Sequence, residues 1–288
     1  MRFQRIDSRV APVGGVPGEE EEQGMSPVSM ILRRVLEENP PDAADSEKRR
    51  LPFQPRSYRD FMLFERHYYG AAVGITSLYR PLANRLGTLF STLTGIEFPF
   101  FKPHALWYKQ PIFYQSNHLA FYSDGASITY PPYCHYLDVE LELGIVLGRP
   151  LYNASPEEAT AAIAGFCVFN DFSVRNTQLD EMASGFGPQH SKAFANSISA
   201  TVVSADEVLP HIDHLSGRIT INDVVVKEPK VDNWQFSLGQ ALSHVSKSTH
   251  LYPGEFFDTA FQIRIGDVVK LEIDGIGSVT NTIVPETS

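Results

Sequence analysis

Apolar and polar positions alternate most regularly between residues 137 and 147. Leu137, Val139, Leu141 and Leu143 share one parity, and Asp138, Glu140 and Glu142 share the other. A strand therefore sets aliphatic side chains on one face and three carboxylates on the opposite one. The run continues into Ile145-Val146-Leu147, apolar on both faces, which predicts a strand entering a core. Similar patterning predicts a hairpin over residues 217–226 that turns at Asn222-Asp223. A second hairpin is expected where residues 268–273 meet 278–283 across Asp274-Gly275-Ile276-Gly277. Helical signals are fewer. Ser26 can cap a helix opened by Pro27 and continued by Met30, Ile31, Val35 and Leu36. Ser155-Pro156-Glu157-Glu158 starts another, and residues 238–246 form a third that ends before Pro253. Strands outnumber helices, and few connections are long enough for regular βαβ crossovers. The pattern predicts a mixed α+β, β-rich fold instead of a doubly wound sheet.

Residues 1–56 break the pattern with a Gly/Pro/Val stretch, an acidic run at 19–22, Pro40-Pro41 and a charged segment at 47–50. Apart from the short helix after Ser26 they read as linker. Residues 57–288 then form one domain with the chemistry in it. The chain has 288 residues, and its net charge of −10 argues against nucleic-acid binding, which needs clustered Lys and Arg. No run of about 18 apolar residues exists, so no membrane span is expected. Cys134 and Cys167 make neither a disulfide framework nor a zinc cluster, and read as small buried hydrophobes. The N-terminus has no apolar signal-peptide core. Arg2, Arg5 and Arg9 hint at a presequence, but Asp7 and the acidic run argue against one, leaving a cytoplasmic location as the expectation.

The carboxylates of 137–147 change the picture most. Buried near a core, they repel one another unless a cation balances them. Neighbouring carboxylates suit Mg²⁺ or Ca²⁺, with Mn²⁺ a further option, better than zinc. An edge strand with a solvated acidic face is the alternative. A second acid, Asp171, follows the apolar run 165–169, where it is either a strand-end ligand or a helix cap. A third point is Asp60: on a helix, Asp60 and His67 lie seven residues apart and share a face. His67 equally fits an aromatic cluster with Phe64, Tyr68 and Tyr69.

Taken in order, these segments resemble the fumarylacetoacetate hydrolase family over residues 57–283. The resemblance rests on Arg59-Asp60-Phe61 with Phe64-Glu65-Arg66-His67, on Trp107-Tyr108-Lys109-Gln110-Pro111-Ile112-Phe113-Tyr114, and on Leu137-Asp138-Val139-Glu140-Leu141-Glu142. Asn170-Asp171-Phe172-Ser173-Val174-Arg175-Asn176-Thr177-Gln178, Ser191-Lys192-Ala193-Phe194 and the hairpin opened by Gly266-Asp267 complete it. It implies a rolled mixed β-sheet, a homodimer and one divalent cation per subunit. Asp60, Glu140, Glu142 and Asp171 match the family's metal ligands, with Asp138 a neighbour. His67 matches its general base and Lys192 its cationic stabiliser. Tyr114, Arg175 and Gln178 match substrate-contacting positions, and Thr259 stands for a substrate-binding threonine.

Departures are equally specific. The glycine expected before Thr259 is absent, and so is the glycine-rich loop with the glutamate that orients the histidine. Met62 replaces a tyrosine, and Asn196 stands where a threonine is common. The expected function is metal-dependent hydrolysis of a C–C bond in a 1,3-dicarbonyl (acylpyruvate- or fumarylacetoacetate-like) acid. The alternatives are β-keto acid decarboxylation or enolate isomerisation on the same metal site, and a catalytically impaired metal-binding member. The small-molecule partner is a diketo or keto acid.

Overall fold

The computed structural model describes residues 1–6, 9–14, 24–42, 50–231, 233–261 and 268–285. The first half contains β1 (Arg2–Ile6), β2 (Arg9–Pro12), α1 (Pro27–Glu38), β3 (Tyr58–Phe61), α2 (Glu65–Tyr79), α3 (Pro81–Thr94), β4 (Phe113–Gln115), β5 (Phe121–Ser123), β6 (Ser127–Thr129), β7 (Leu137–Asp138) and β8 (Leu141–Leu147). There follow α4 (Pro156–Ala161), β9 (Ile163–Asp171), β10 (Ser173–Val174), α5 (Arg175–Ser184), β11 (Asn196–Ile198), β12 (Thr201–Ser204), α6 (Ala205–Val208), β13 (Gly217–Ile221), β14 (Val224–Lys227), α7 (Leu238–Val245), β15 (Phe256–Phe261), β16 (Val268–Ile273) and β17 (Gly277–Val284). The β-rich α+β architecture expected from the pattern is the one adopted.

A ten-stranded mixed sheet runs β2-β1-β12-β9-β8-β15-β3-β4, with β11 joining β9 to β5. Its centre, β8 and β9, is buried along its whole length, because Leu, Ile, Val and Phe occupy both parities there. On one face Leu143, Ile145, Phe166 and Val168 meet the five-stranded sheet β14-β13-β16-β17-β6. On the other, Val146, Ala164 and Phe169 lie under Leu32, Val35 and Leu36 of α1. Each buried Leu or Val on α1 contributes about 1.5–3 kcal/mol, enough to hold a twelve-residue helix on the sheet. Gly144 is required by close approach: a Cβ there would lie 2.5 Å from Phe256 Cζ.

Both hairpins form as patterned. Asn222 and Asp223 take φ of 47° and 64°, the left-handed pair that a two-residue turn needs. β16 and β17 pair from Val268↔Thr282 to Ile273↔Gly277, while the Gly266-Asp267 entry lies outside the described residues. Capping boxes open α4 (Ser155 with Glu158) and α7 (Ser237 with Gln240).

The N-terminal segment departs from expectation. Besides the anticipated helix α1 it supplies β1 and β2, and β1 pairs antiparallel with β12 from Arg2↔Val203. Phe3, Leu51 and Phe53 are fully buried. Five- and four-residue strands interspersed with Arg carry little local signal; what stabilises them is covering the otherwise open edge of β12. The acidic run 19–22 and residues 47–49 lie outside the described residues. The α2–α3 pair was not anticipated either. Its α3 packs through Gly87 against Phe101 and leaves Leu82, Leu86, Leu89 and Leu93 exposed. Among the described residues no helix is long and apolar enough to cross a membrane.

Candidate active site

The stretch 137–147 is not one strand. It is interrupted at Val139-Glu140, because β7 leaves to pair with β10 while β8 pairs with β9 and β15. Its alternation survives in the packing. Leu137, Val139, Leu141 and Leu143 enter the core, and Asp138, Glu140 and Glu142 are also buried, at 6%, 3% and 0% exposure. A solvated acidic edge is thereby excluded.

Four strands converge on this point. Asp171 ends β9, and β15 runs parallel to β3 with Asp258 opposite Asp60. Asp60 is thus on a strand, and the helix bearing His67 begins only at Glu65, so the two do not share a helix face. The tertiary fold nonetheless assembles the carboxylates: oxygens of Asp60, Glu142 and Asp171 all lie within 4.8 Å of one another. Among the described residues both Glu142 oxygens, Asp60 Oδ1 and Asp258 Oδ1 are buried without an N–H or hydroxyl donor, and the Glu142 and Asp258 carboxyls are left to share a proton with each other. An all-oxygen, multiply anionic donor set with unfilled lone pairs fits a hard divalent cation better than it fits zinc.

Without a cation the cluster must hold protons. Burial, reinforced by Asp258 and Asp60, pushes Glu142 well above the carboxylate range. Burial likewise pushes Asp258 up to about 8 and raises Asp60, with Asp258 adding to it. These folded-state values lie above the ordinary carboxylate pKa of about 4. The folded protein therefore binds more protons than the unfolded chain between about pH 4 and 8, and stability falls as pH rises across that window. The melting temperature of chelated protein should decline from about pH 5 to pH 8, and saturating divalent cation should flatten the slope. A melting temperature that rises over this range without metal would contradict the protonated cluster.

Two cations flank the acids. The Lys192 ammonium, buried to 2% exposure, is held by Glu140 Oε2 and Asp171 Oδ2. Burial alone would lower its pKa, but Asp171 and Glu140 outweigh burial and keep it charged. Arg175 donates from Nε to Asp138 Oδ2 at 2.7 Å, from Nη2 to Glu140 Oε1 at 2.6 Å and from Nη1 to Gln178 Oε1 at 2.6 Å. Both Glu140 oxygens are therefore taken. Burial opposes its ionisation, yet Arg175 and Lys192 hold the carboxyl below its ordinary range. The Tyr114 hydroxyl donates to Asp171 Oδ2 at 2.6 Å. Asp171 is pushed up to about 6, burial exceeding the pull of Lys192.

His67 sits in the first turn of α2, and its Nδ1 is buried without a partner among the described residues. Burial pushes its pKa down to about 4 against the opposing charge of Glu140, so the imidazole is neutral at pH 7. Glu65 does not orient it, because the Glu65 carboxylate accepts from the Tyr108 hydroxyl.

Of the residues singled out in sequence, Asp60, Glu142, Asp171, Lys192 and Tyr114 come together, with Glu140 joined to them through Lys192. Gln178 reaches the group through Arg175. Thr259 follows Asp258 on β15, its hydroxyl buried and without a partner among the described residues. One residue went unread. Asp258 is fully buried beside Glu142, and the Tyr58 hydroxyl donates to its Oδ2 at 3.1 Å. The signal for Asp258 was present, a lone acid behind Phe256-Phe257, the same kind that marked Asp171. Asn196 pairs with Asp171 across β11 and β9, and its amide, turned to donate, reaches Asp171 Oδ1 at 2.9 Å.

The chain is similar to several known proteins. The chain is 27% identical over 197 residues to the fumarylacetoacetate hydrolase domain-containing protein 2 homolog of Dictyostelium discoideum, covering 61% of this chain and 64% of that protein. It is 27% identical over 176 residues to the mitochondrial oxaloacetate tautomerase FAHD1 of Rattus norvegicus, covering 59% and 79%. The structure of fumarylpyruvate hydrolase from Pseudomonas aeruginosa, in complex with Mn²⁺ and pyruvate, superposes with a TM-score of 0.60 at 16% identity, over 81% of this chain and 91% of that one. Those names span a tautomerase and a hydrolase. Asp60 and His67 precede the match to the fumarylacetoacetate (FAA) hydrolase C-terminal family, which spans residues 101–284. As that segment is more than half of the chain and carries Glu140, Glu142, Asp171 and Lys192, the protein belongs to the fumarylacetoacetate hydrolase family.

Proposed function

We propose that the protein is a metal-dependent hydrolase that cleaves a C–C bond in an acylpyruvate- or fumarylacetoacetate-like 1,3-dicarbonyl acid. The observation that carries this reading is Glu142, whose two buried oxygens, between Asp60 and Asp171, find no N–H or hydroxyl donor among the described residues. A divalent ion held by Asp60, Glu142 and Asp171, with Glu140 beside them but engaged by Arg175 and Lys192, would polarise the two diketone oxygens. Mg²⁺, Ca²⁺ and Mn²⁺ all suit that set.

The chain's own groups supply the rest. Neutral His67 accepts the proton of the water that adds to the acyl carbonyl. The C–C bond then breaks to give a carboxylic acid and an enolate, and His67 returns the proton to the enolate carbon. Lys192 sets a fixed positive charge beside the developing anion. Tyr114 holds Asp171 in place, Arg175 holds Glu140, and Gln178 with the Thr259 hydroxyl, unpartnered among the described residues, offers donors to the substrate carboxylate.

One observation favours a second reading. The unpartnered Nδ1 of His67 leaves the imidazole without an orienting acid among the described residues. Decarboxylation of a β-keto acid or isomerisation through an enolate needs no activated water and tolerates that. Proton NMR of an acylpyruvate and of an oxaloacetate-type acid, each with Mg²⁺, separates the two. Two acid fragments support the hydrolase. Loss of CO₂ or a keto–enol change alone supports the second reading, and silence on both substrates overturns the pair.

Lys192→Met should lower kcat by about 10²-fold or more. Because the ammonium compensates two buried carboxylates, the substitution should also cost about 3–5 kcal/mol of stability. An unchanged kcat in the folded variant would remove Lys192 from the chemistry.

A further inference from the structure

We propose that the substrate carries an uncharged apolar tail, which leaves the carboxylate cluster along α2 and fills a cavity between α2 and the β13–β14 hairpin. The proposal rests on the functional reading above and narrows its substrate class.

The cavity has a volume of about 610 Å³, within the range of small-molecule pockets. Ala71, Gly74, Ile75 and Leu78 of α2 form one wall, and Ile221 and Val226 of the hairpin form the other. Asp138 and Arg175 make its floor. These two charges already answer each other, and the far side of the guanidinium holds Glu140. Glu140 in turn shares Lys192 with Asp171. A relay of three side chains, Arg175, Glu140 and Lys192, therefore links the cavity floor to Asp171 of the cluster. The same helix face joins them: His67, Ala71, Gly74 and Leu78 follow one another at spacings of four, three and four residues.

Gly74 explains the room. A Cβ added there would meet nothing within 4 Å, although glycine is a poor residue for a helix interior. Small side chains at 70, 71 and 74 keep open a space that ordinary helix formers would close. This wall also precedes residues 101–284, so it belongs to this chain and not to the segment matched by the family. Lys227 also lines the cavity at its exposed rim, and there the charge of Asp138 on the floor opposes the lowering of its pKa by burial.

Binding measurements test this without turnover. Calorimetry with Mg²⁺ and unbranched 2-oxo acids from pyruvate to 2-oxooctanoate should show the affinity of the wild-type protein rising about fourfold per added methylene. Gly74→Leu should abolish that dependence and leave the pyruvate Kd unchanged, whereas Gly74→Ala, which keeps the room, should retain it. A flat series in the wild type, or an undiminished slope in a folded Gly74→Leu variant, overturns the proposal. So does tighter binding of a 2-oxo diacid than of the monoacid of equal length, since that would mean a distal carboxylate read by a cation. The hydrolase reading fails separately. If no diketone is cleaved but the slope persists, the cavity assignment stands and the reaction does not. If cleavage occurs on a flat series, the reverse holds.

Discussion

Asp171→Ala and Glu142→Ala should each abolish the rise in melting temperature that Mg²⁺ or Mn²⁺ gives the wild-type protein. A ligand that binds only the folded state stabilises it by about 2.7 kcal/mol at a hundredfold excess over Kd. For a chain of this size that is a rise of roughly 5–10 °C. The acids at risk are unusually dependent on such a ligand. Asp60, Glu142 and Asp171 crowd their oxygens within 4.8 Å, and among the described residues neither Glu142 oxygen meets an N–H or hydroxyl donor. In metal-free protein burial and its acid neighbours keep Glu142 protonated, and stability is lost as pH rises toward release of that proton, so a permanently neutral amide at 142 avoids the loss. Glu142→Gln should accordingly melt higher than metal-free wild type while losing its response to metal. That pairing distinguishes a metal ligand from a structural acid, whose loss would lower the melting temperature under both conditions. A variant at either position that keeps the full metal-dependent rise would sink the assignment of the site.

The second large effect belongs to His67. His67→Ala should reduce diketone cleavage by about 10²–10⁴-fold, the usual cost of removing a general base. Metal-assisted decarboxylation, which needs no base, should be spared. The pH dependence carries a further expectation. A base must be neutral to accept a proton, and burial pushes the His67 pKa down to about 4, below the ordinary value of about 6.5. A bound divalent cation acts in the same direction. The acid limb of kcat/KM should therefore lie below about pH 6, and activity should hold between pH 6 and 7 where an ordinary histidine would be titrating. An acid limb at 6.5 or above would indicate that another group is the base. A folded variant cleaving diketones at the wild-type rate would dismiss His67 altogether.

Much of the site was legible in local pattern, and the reason is periodicity. Burial on alternate sides of a strand writes itself into every second residue, so Asp138, Glu140 and Glu142 announced a shared face before any fold was known. Asp171 was visible as a lone acid closing an apolar run. Asp258 gave the same sign and passed unread, because the expected glycine and loop drew attention to what was missing near Thr259. The secondary structure around Asp60 misled for a different reason. A four-residue strand, Tyr58–Phe61, is too short to display a period of two, and the aromatic run beyond it fits a helix as well.

The sequence by itself determined the hairpins, the capped helices, the core strand through Ile145-Val146-Leu147 and the acids that face away from the core, since each follows from contacts between residues a few positions apart. Only the tertiary structure decided which charges compensate which. Lys192 lies 52 residues from Glu140, and Tyr58 lies 200 residues from Asp258, yet both pairs are buried in contact. It also decided that β1 and β2 complete the sheet instead of trailing from it, and that a strand breaks at Val139-Glu140 so that β7 can reach β10. Such outcomes depend on which edge is open and which buried charge lacks a counterion, and those are properties of the assembled sheet that no local window of residues contains.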